Sequence, residues 1–188
     1  MTLETLASKV VEAVESAGVG FMVVGAVAAG AYGVPRSTRD VDLLVSANVE
    51  GGVAAVMANL DAIVRFDTQV VFDTLTWGRR HVGQSRSAPP FKVELFEMFD
   101  DPFVQSEFTR RQQVFIPVLG RATWLPTPED VIVQKLRWGR SKDLDDARDV
   151  LAVQGTDSLD MVYIEKWCAQ HGTRERLQAA LAGIPPLN

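Results

Sequence analysis

The segment from Gly25 to Val45 constrains the fold more than any other part of the chain. It reads as a turn of small residues, a short helix that Pro35 ends, and an apolar strand that contains Asp40 and Asp42. In a strand, side chains two residues apart lie on one face, with Cα atoms roughly 6.6 Å apart. Two carboxylates side by side in a half-buried sheet repel each other, so a positive group is expected between them.

A divalent cation is one such positive group. Carboxylate oxygens are the ligands that Mg²⁺ and Mn²⁺ prefer, and two such ions about 3.5–4 Å apart are a common arrangement for in-line phosphoryl transfer. The strand that contains Asp40 and Asp42 therefore predicts a Mg²⁺ or Mn²⁺ site.

The residues around this strand form a spaced motif: Gly25, Ala26, Pro35, Arg36, Thr38, Asp40 and Asp42. The motif resembles the signature of the polymerase-β-type nucleotidyltransferase superfamily, most closely its AbiEii-like branch of bacterial toxin and abortive-infection proteins. The resemblance implies that the Asp-x-Asp strand binds the metals that carry a nucleoside triphosphate (NTP). It also implies that Gly25, Ala26, Arg36 and Thr38 lie at the nucleotide. Ala26 departs from the family, in which Gly or Ser is more common and serine adds a hydroxyl contact.

A third acidic residue is expected on a neighbouring strand. The alternating segment 91–97 puts Lys92, Glu94 and Phe96 on one face. In the resembling family an acidic residue, usually Asp, completes the metal site, and the resemblance places Glu94 there as ligand and catalytic group. The alternative is an ordinary salt bridge between Glu94 and Lys92. Glu97 is a second candidate, on the opposite face.

The C-terminal part of the chain contains a second group of charged residues. Thr127 and Pro128 begin a predicted helix with acidic residues in its first turn. Lys135, Arg140 and Asp143, together with Lys142 and Asp146, resemble the second AbiEii-like signature. The resemblance implies that Lys135 approaches the triphosphate, and that Arg140 and Asp143 close the active site from the helical side. The alternative, preferred for Asp145 and Asp149, is surface ion pairing.

Apolar periodicity and turn residues predict the remaining elements. The predicted strands are 20–24, 40–46, 62–66, 69–73, 91–97, 113–118 and 121–125. The predicted helices are 3–17, 26–33, 49–60 with Asn48 or Ser46 as its cap, 101–111, 127–139, 141–151, 158–171 and 173–182. The expected fold is α/β (α+β in some schemes): a small mixed sheet of the nucleotidyltransferase type, flanked by helices. Residues 1–126 form the predicted catalytic core, and residues 127–188 a helical portion packed on it.

Residues 78–90 are predicted to form a mobile loop. They are polar, contain few hydrophobic residues and end in two prolines. The loop is expected at the acceptor side of the cleft.

Composition excludes several classes of protein. The single cysteine, Cys168, rules out an internal disulfide, and with only His81 and His171 a zinc site is not expected. No apolar run is long enough for a membrane helix and no leader pattern precedes the first helix, so a cytoplasmic protein without a membrane partner is expected. The net charge of −5 argues against nucleic-acid binding over the whole surface, although arginines cluster locally, as at Arg79 and Arg80.

The resemblance implies transfer of a nucleoside monophosphate from an NTP to an acceptor hydroxyl. The acceptor is expected to be tRNA or a protein, with the chain as a toxin and a cognate antitoxin as partner; a tRNA acceptor requires arginine clusters beside the metal site. One alternative is an enzyme that modifies an aminoglycoside or lincosamide, because an acidic surface suits a cationic drug. Another is a catalytically silent binding protein, which Ala26 and Glu94 favour.

Overall fold

A computed structural model describes residues 1–46, 51–73 and 78–185 of the chain. Its contacts divide the chain into two compact units. Unit 1 comprises Met1–Gly25 and Thr38–Leu125, and unit 2 comprises Ala26–Ser37 and Pro126–Asn188. The predicted domain boundary after residue 126 stays a prediction; the contacts group Ala26–Ser37 with the C-terminal helices.

Eight strands and eight α-helices are assigned in the described ranges, together with a short 3₁₀ helix at Pro117–Leu119. In chain order they are α1 (Leu3–Ser16), β1 (Phe21–Val23), α2 (Gly25–Tyr32), β2 (Asp40–Val45), α3 (Gly52–Leu60), β3 (Val64–Phe66), β4 (Val71–Asp73), β5 (Gly78–Ser85), β6 (Lys92–Glu97), α4 (Pro102–Arg110), β7 (Gln112–Ile116), β8 (Arg121–Leu125), α5 (Pro128–Trp138), α6 (Ser141–Gln154), α7 (Met161–His171) and α8 (Arg174–Ala182). The predicted helix cap Asn48 lies outside the described residues.

Unit 1 is built on a six-stranded mixed sheet. The strand order is β1-β2-β6-β5-β3, and β4 also pairs with β5. The pair β2 and β6 is parallel, and the other pairs are antiparallel. Strands β7 and β8 form a separate antiparallel pair. The predicted α/β class, with a small mixed sheet and a helical C-terminal portion, is confirmed.

The apolar stripe of α1 explains its place in unit 1. Leu6, Val10 and Val14 recur at helical spacing and are fully buried. The hydroxyl of Thr2 accepts a hydrogen bond from the Thr5 amide and caps the helix. Burial of this stripe anchors α1 within the core of unit 1.

The predicted mobile loop is wrong for residues 78–85. These residues form β5, which pairs with β6 on one side and with β3 and β4 on the other. Its polar side chains have partners on β6: Arg80 lies 3.3 Å from Glu94, and His81 lies 2.6 Å from Glu97. The polar composition therefore reflects an ion pair and a hydrogen bond across the sheet, which a local pattern of hydrophobic residues does not reveal.

Unit 2 joins the segment Ala26–Ser37 to four helices. Thr127 caps α5 by accepting a hydrogen bond from the Asp130 amide, as predicted. The hydroxyl of Tyr32 donates to the carbonyl of Pro126 at 2.9 Å. Gly33 packs against α6 so closely that a Cβ atom would lie 2.9 Å from the amide nitrogen of Val150. The close approach explains why this early segment belongs with the later helices.

Helices that could cross a membrane are absent from the described ranges, since none there is both long and apolar enough.

Replacement of Gly83 tests the packing of β5. A Cβ atom at this position would lie 2.6 Å from Cγ1 of Val64 and 2.8 Å from Cδ1 of Phe66. We expect Gly83→Ala to lower the free energy of unfolding by about 1–3 kcal/mol, because the side chains of Val64 and Phe66 must move. The melting temperature, measured by circular dichroism, should fall, whereas Arg79→Ala at an exposed site of the same strand should change it little. Equal melting temperatures for Gly83→Ala and wild type would contradict this packing.

Candidate functional site

The parallel pairing of β2 and β6 brings three acidic residues together in unit 1. Asp42 lies directly opposite Glu94, and Asp40 lies opposite Lys92. Residues opposite each other on paired strands share a face of the sheet, and the side-chain repeat of two adds Asp40 to the face of Asp42. Glu94 is buried, while Asp40 and Asp42 are half-buried. The sequence-predicted metal residues therefore occupy one small area of the sheet.

Lys92 supplies positive charge at this area. Its Nζ lies 2.9 Å from Oε2 of Glu94 and 3.6 Å from Oδ1 of Asp40. Burial acts to lower the pKa of Lys92, but the hydrogen bond and charge of Glu94, with the charges of Asp40 and Asp42, outweigh it and raise the pKa. Lys92 is therefore protonated at neutral pH and offsets the repulsion that the sequence predicts. The sequence predicts this lysine only as a salt-bridge partner of Glu94.

Gly25 lies against the carboxylate of Asp42. Its φ of +68° is in the left-handed region, and a Cβ atom there would overlap the Asp42 carboxylate. Only glycine lets the backbone approach the carboxylate this closely. Thr38 acts at the start of β2, where its hydroxyl accepts a hydrogen bond from the Asp40 amide at 3.1 Å. Both residues thus help to position the aspartates.

A second charged cluster lies within unit 2. Lys135 is almost fully buried, and its Nζ lies 2.7 Å from Oδ2 of Asp146 and 3.2 Å from Oδ1 of Asp143. Arg36 donates two hydrogen bonds to Asp146, at 2.7 and 3.0 Å. Arg140 donates two to Asp143, at 2.5 and 3.2 Å. The side chains form a continuous ion-pair cluster of three cations and two carboxylates.

Asp146 is the central residue that sequence reasoning missed. Asp146 is part of the second AbiEii-like signature, but the resemblance implies no site role for it. Its spacing of three residues from Asp143 places both carboxylates on one face of α6. Burial acts to raise the pKa of Asp146, but hydrogen bonds and charge from Arg36 and Lys135 outweigh it and lower the pKa. Removal of one partner from such a buried cluster leaves an uncompensated charge. Loss of a single member of the cluster would therefore destabilise unit 2.

The predicted site residues divide between the two units. Unit 1 contains Gly25, Thr38, Asp40, Asp42 and Glu94. Unit 2 contains Ala26, at the start of α2, and brings together Arg36, Lys135, Arg140 and Asp143. Glu97 bonds to His81 instead of joining Glu94. The roles of these residues toward nucleotide and metal stay predictions.

The acidic face suits a hard cation in its chemistry but holds an ammonium group. In the part of the chain that the structure describes, no group of three or more His, Cys, Asp or Glu side chains is arranged to hold a metal ion. The available donors at Asp40, Asp42 and Glu94 are all carboxylate oxygens, as Mg²⁺ and Mn²⁺ prefer. A divalent ion shared by Asp40 and Glu94 would have to displace Lys92 from between them.

Comparison with known proteins shows the fold. No protein-family model and no curated protein matches the chain. The antibiotic-resistance factor ANT(2'')-Ia, solved with adenylyl-2''-tobramycin, is 16% identical over 93% of this chain and 99% of its own, with a TM-score of 0.62. An antigenic nucleotidyltransferase-like protein from Paracoccidioides brasiliensis is 20% identical over 98% and 94% of the two chains, with a TM-score of 0.55.

A third similar structure is a proposed nucleotidyltransferase from Helicobacter pylori. It is 15% identical over 100% of this chain and 85% of its own, with a TM-score of 0.54. The chain thus has the fold of these solved structures, and the predicted nucleotidyltransferase-type fold is confirmed. Membership of the superfamily and of its AbiEii-like branch stays a prediction.

Neutralisation of Asp146 tests the ion-pair cluster. At pH 7 we expect Asp146→Asn to lower the free energy of unfolding by about 3–5 kcal/mol, because Lys135 loses a buried partner. The folded pKa of Asp146 is lowered below its unfolded value of about 3.9, so its stabilisation is present above that value and is lost as the pH falls through the folded pKa.

The measurement is urea unfolding of wild type and variant from pH 7 down to pH 3. The difference between them should be largest at neutral pH and should shrink below about pH 4. Asp145→Asn, at an exposed carboxylate that pairs with Arg148, should cost less than about 1 kcal/mol throughout. A constant difference across the pH range would contradict the proposed role of the Asp146 charge.

Proposed function

We propose that this chain is a metal-dependent nucleotidyltransferase that moves a nucleoside monophosphate from an NTP to an acceptor hydroxyl. One observation carries the proposal: Asp42 and Glu94 lie opposite each other on parallel strands of a nucleotidyltransferase fold. Asp40 adds a third carboxylate on the same face, and Gly25 brings the backbone against Asp42. The acceptor oxygen forms a bond to the α-phosphorus, and the bond to the departing pyrophosphate breaks.

Asp40 and Asp42 would hold Mg²⁺ or Mn²⁺, and Glu94 would bind one ion. When bound, such ions neutralise charge on the triphosphate and orient it for in-line displacement. Glu94 is also the candidate base that accepts the proton of the acceptor hydroxyl. Its pairs with Arg80 and Lys92 hold its carboxylate in place before substrate binds.

Lys92 is better placed than Lys135 to contact the triphosphate. Lys92 is on the acidic face itself, and its flexible ammonium can neutralise phosphate charge when a divalent ion takes its place. Lys135 would have to leave two buried carboxylates, which costs several kcal/mol. We therefore assign Lys135, with Arg36 and Arg140, a structural role within unit 2. Contact between Lys135 and the triphosphate, which the sequence predicts, is the alternative role.

A silent binding protein is the second candidate function. The observation that favours it is the position of Lys92, because an internal cation already neutralises the carboxylates.

The identity of the acceptor is a separate question. The toxin hypothesis implies tRNA or a protein as the acceptor, with a cognate antitoxin as partner. The similarity to ANT(2'')-Ia favours a small-molecule antibiotic instead.

Replacement of Asp42 tests the catalytic assignment. Asp42→Asn keeps the size of the side chain but removes the charge that a divalent ion needs, so we expect loss of nucleotide transfer. The melting temperature without metal should be unchanged or higher, because like-charge repulsion is relieved. Transfer is measured with four labelled NTPs and with tRNA, protein and aminoglycosides as acceptors. Asp67→Asn, at an exposed carboxylate of the same unit, is the matched control. Full transfer by Asp42→Asn would refute the assignment.

Replacement of Lys92 separates enzyme from silent homologue without an activity assay. In the absence of divalent ions, we expect Lys92→Met to melt at a lower temperature than wild type, because Asp40 and Glu94 both lose an ion-pair partner. Mg²⁺ should restore the melting temperature of the variant and bind it more tightly than wild type. Lys9→Met, at an exposed lysine of α1, should show neither effect. A destabilised variant that Mg²⁺ leaves unchanged would favour the silent protein.

A further inference from the structure

A basic cavity of about 190 Å³ lies at the edge of the sheet in unit 1. It is lined by Arg65 on β3, by Gln84 and Ser85 on β5, and by Arg86 directly after β5. None of these residues has a role in the proposed nucleotide transfer. Two guanidinium groups, an amide and a hydroxyl are the donors that proteins use to bind oxyanions.

Strand register connects this cavity to the acidic face. Arg65 lies opposite Gln84, Gln84 lies opposite Lys92, and Lys92 lies opposite Asp40. Directly opposed residues share a face of the sheet, so these four residues form a row across four neighbouring strands. Three strand spacings separate the Cα atoms at its ends, a distance of about 14 Å. The row thus runs from the cavity to the first carboxylate of the candidate site.

Three of the four lining side chains, those of Arg65, Gln84 and Arg86, keep donors available to a ligand. Within residues 1–46, 51–73 and 78–185, the exposed side chains of Arg65 and Gln84 make no hydrogen bond or ion pair with protein groups. Arg86 donates to the backbone carbonyl of Asp61 at 2.9 Å and to its carboxylate at 3.4 Å, which orients the guanidinium and leaves other N–H groups. Ser85 is occupied, because its hydroxyl bonds to Ser87 and accepts from the Phe91 amide. With Asp61 included, the cavity keeps a net positive charge.

We propose that Arg65, Gln84 and Arg86 bind a phosphate group carried by the acceptor substrate. The assignment to the acceptor rests on the proposed function; the anion site itself rests only on the cavity. The Cα atoms of Arg65 and Asp40 are about 14 Å apart, with two strands between theirs, so we assign this phosphate to the acceptor and not to the triphosphate held at the acidic face. Two guanidinium groups repel a polycationic drug, so an acceptor with its own phosphate is favoured over an aminoglycoside.

The site is tested by binding to the metal-free protein without NTP. The probes are inorganic phosphate, ribose 5-phosphate and an eight-nucleotide single-stranded oligonucleotide, which separate free phosphate, a phosphomonoester and phosphodiesters. Calorimetry is performed on wild type, Arg65→Gln, Arg65→Lys and Arg79→Gln. Arg79 is the matched control, because it is an exposed arginine of β5 that lies five residues from Gln84 and therefore on the opposite face of the strand.

We expect at least one probe to bind wild type. Arg65→Gln should weaken it about tenfold, Arg65→Lys less, and Arg79→Gln less than twofold. Absence of binding by all three probes, or equal weakening by Arg65→Gln and Arg79→Gln, would overturn the site. Circular dichroism should show the same fold for all four proteins.

A kinetic comparison tests the assignment to the acceptor. Arg65→Gln should raise the KM for the acceptor about tenfold and leave the KM for the NTP unchanged. An unchanged acceptor KM with weakened probe binding would overturn the acceptor assignment. The binding experiment contains neither metal nor NTP. Its result for the anion site therefore does not depend on whether the Asp42 experiment supports the proposed nucleotide transfer.

Discussion

Parallel hydrogen bonding between β2 and β6 determines where the acidic groups of unit 1 lie. In a parallel pair, opposed residues point to the same side, so Asp42 and Glu94 become neighbours although more than fifty residues separate them along the chain. A shift of the register by one residue would turn Glu94 to the other face of the sheet. The antiparallel pair of β5 with β6 then adds Arg80 and Gln84 to the same surface. The acidic face and its counterion follow from these two pairings, and the pairing of β3 with β5 adds Arg65 to form the basic cavity.

Both units use a lysine between carboxylates, but the surroundings differ. Lys135 is almost fully buried and bonds to two aspartates that arginines also hold, so its movement would leave buried charges unpaired. Lys92 is two-fifths exposed, and one of its two carboxylate distances is long. Water can therefore solvate Lys92 if another cation displaces it, at a much lower cost than for Lys135. This difference in exposure supports a structural role for one lysine and an exchangeable position for the other.

Local sequence patterns predicted some of the elements around the site correctly and others wrongly. The Asp-x-Asp strand and the helix capped by Thr127 were correct because strand alternation and N-caps depend on residues close in the chain. The sequence pattern predicted a loop where β5 forms, because the two glycines and the polar residues of this segment are typical of a loop. Pairing with strands on both sides stabilises β5, and Arg80 contacts Glu94 only in the folded sheet. Tertiary contacts override local propensity at such a strand.

The sequence by itself determined which residues are candidates for a site: two aspartates two residues apart on a strand, a third acidic residue on another strand, and basic residues near Lys135. These follow from the period of a strand and from motif spacing. Only the tertiary structure decided which charges meet. Register placed Lys92 between Glu94 and Asp40, and helix packing gave Lys135 to Asp146. Ion pairing depends on distances of a few ångströms between groups far apart in the chain, and those distances exist only once the strands and helices have packed.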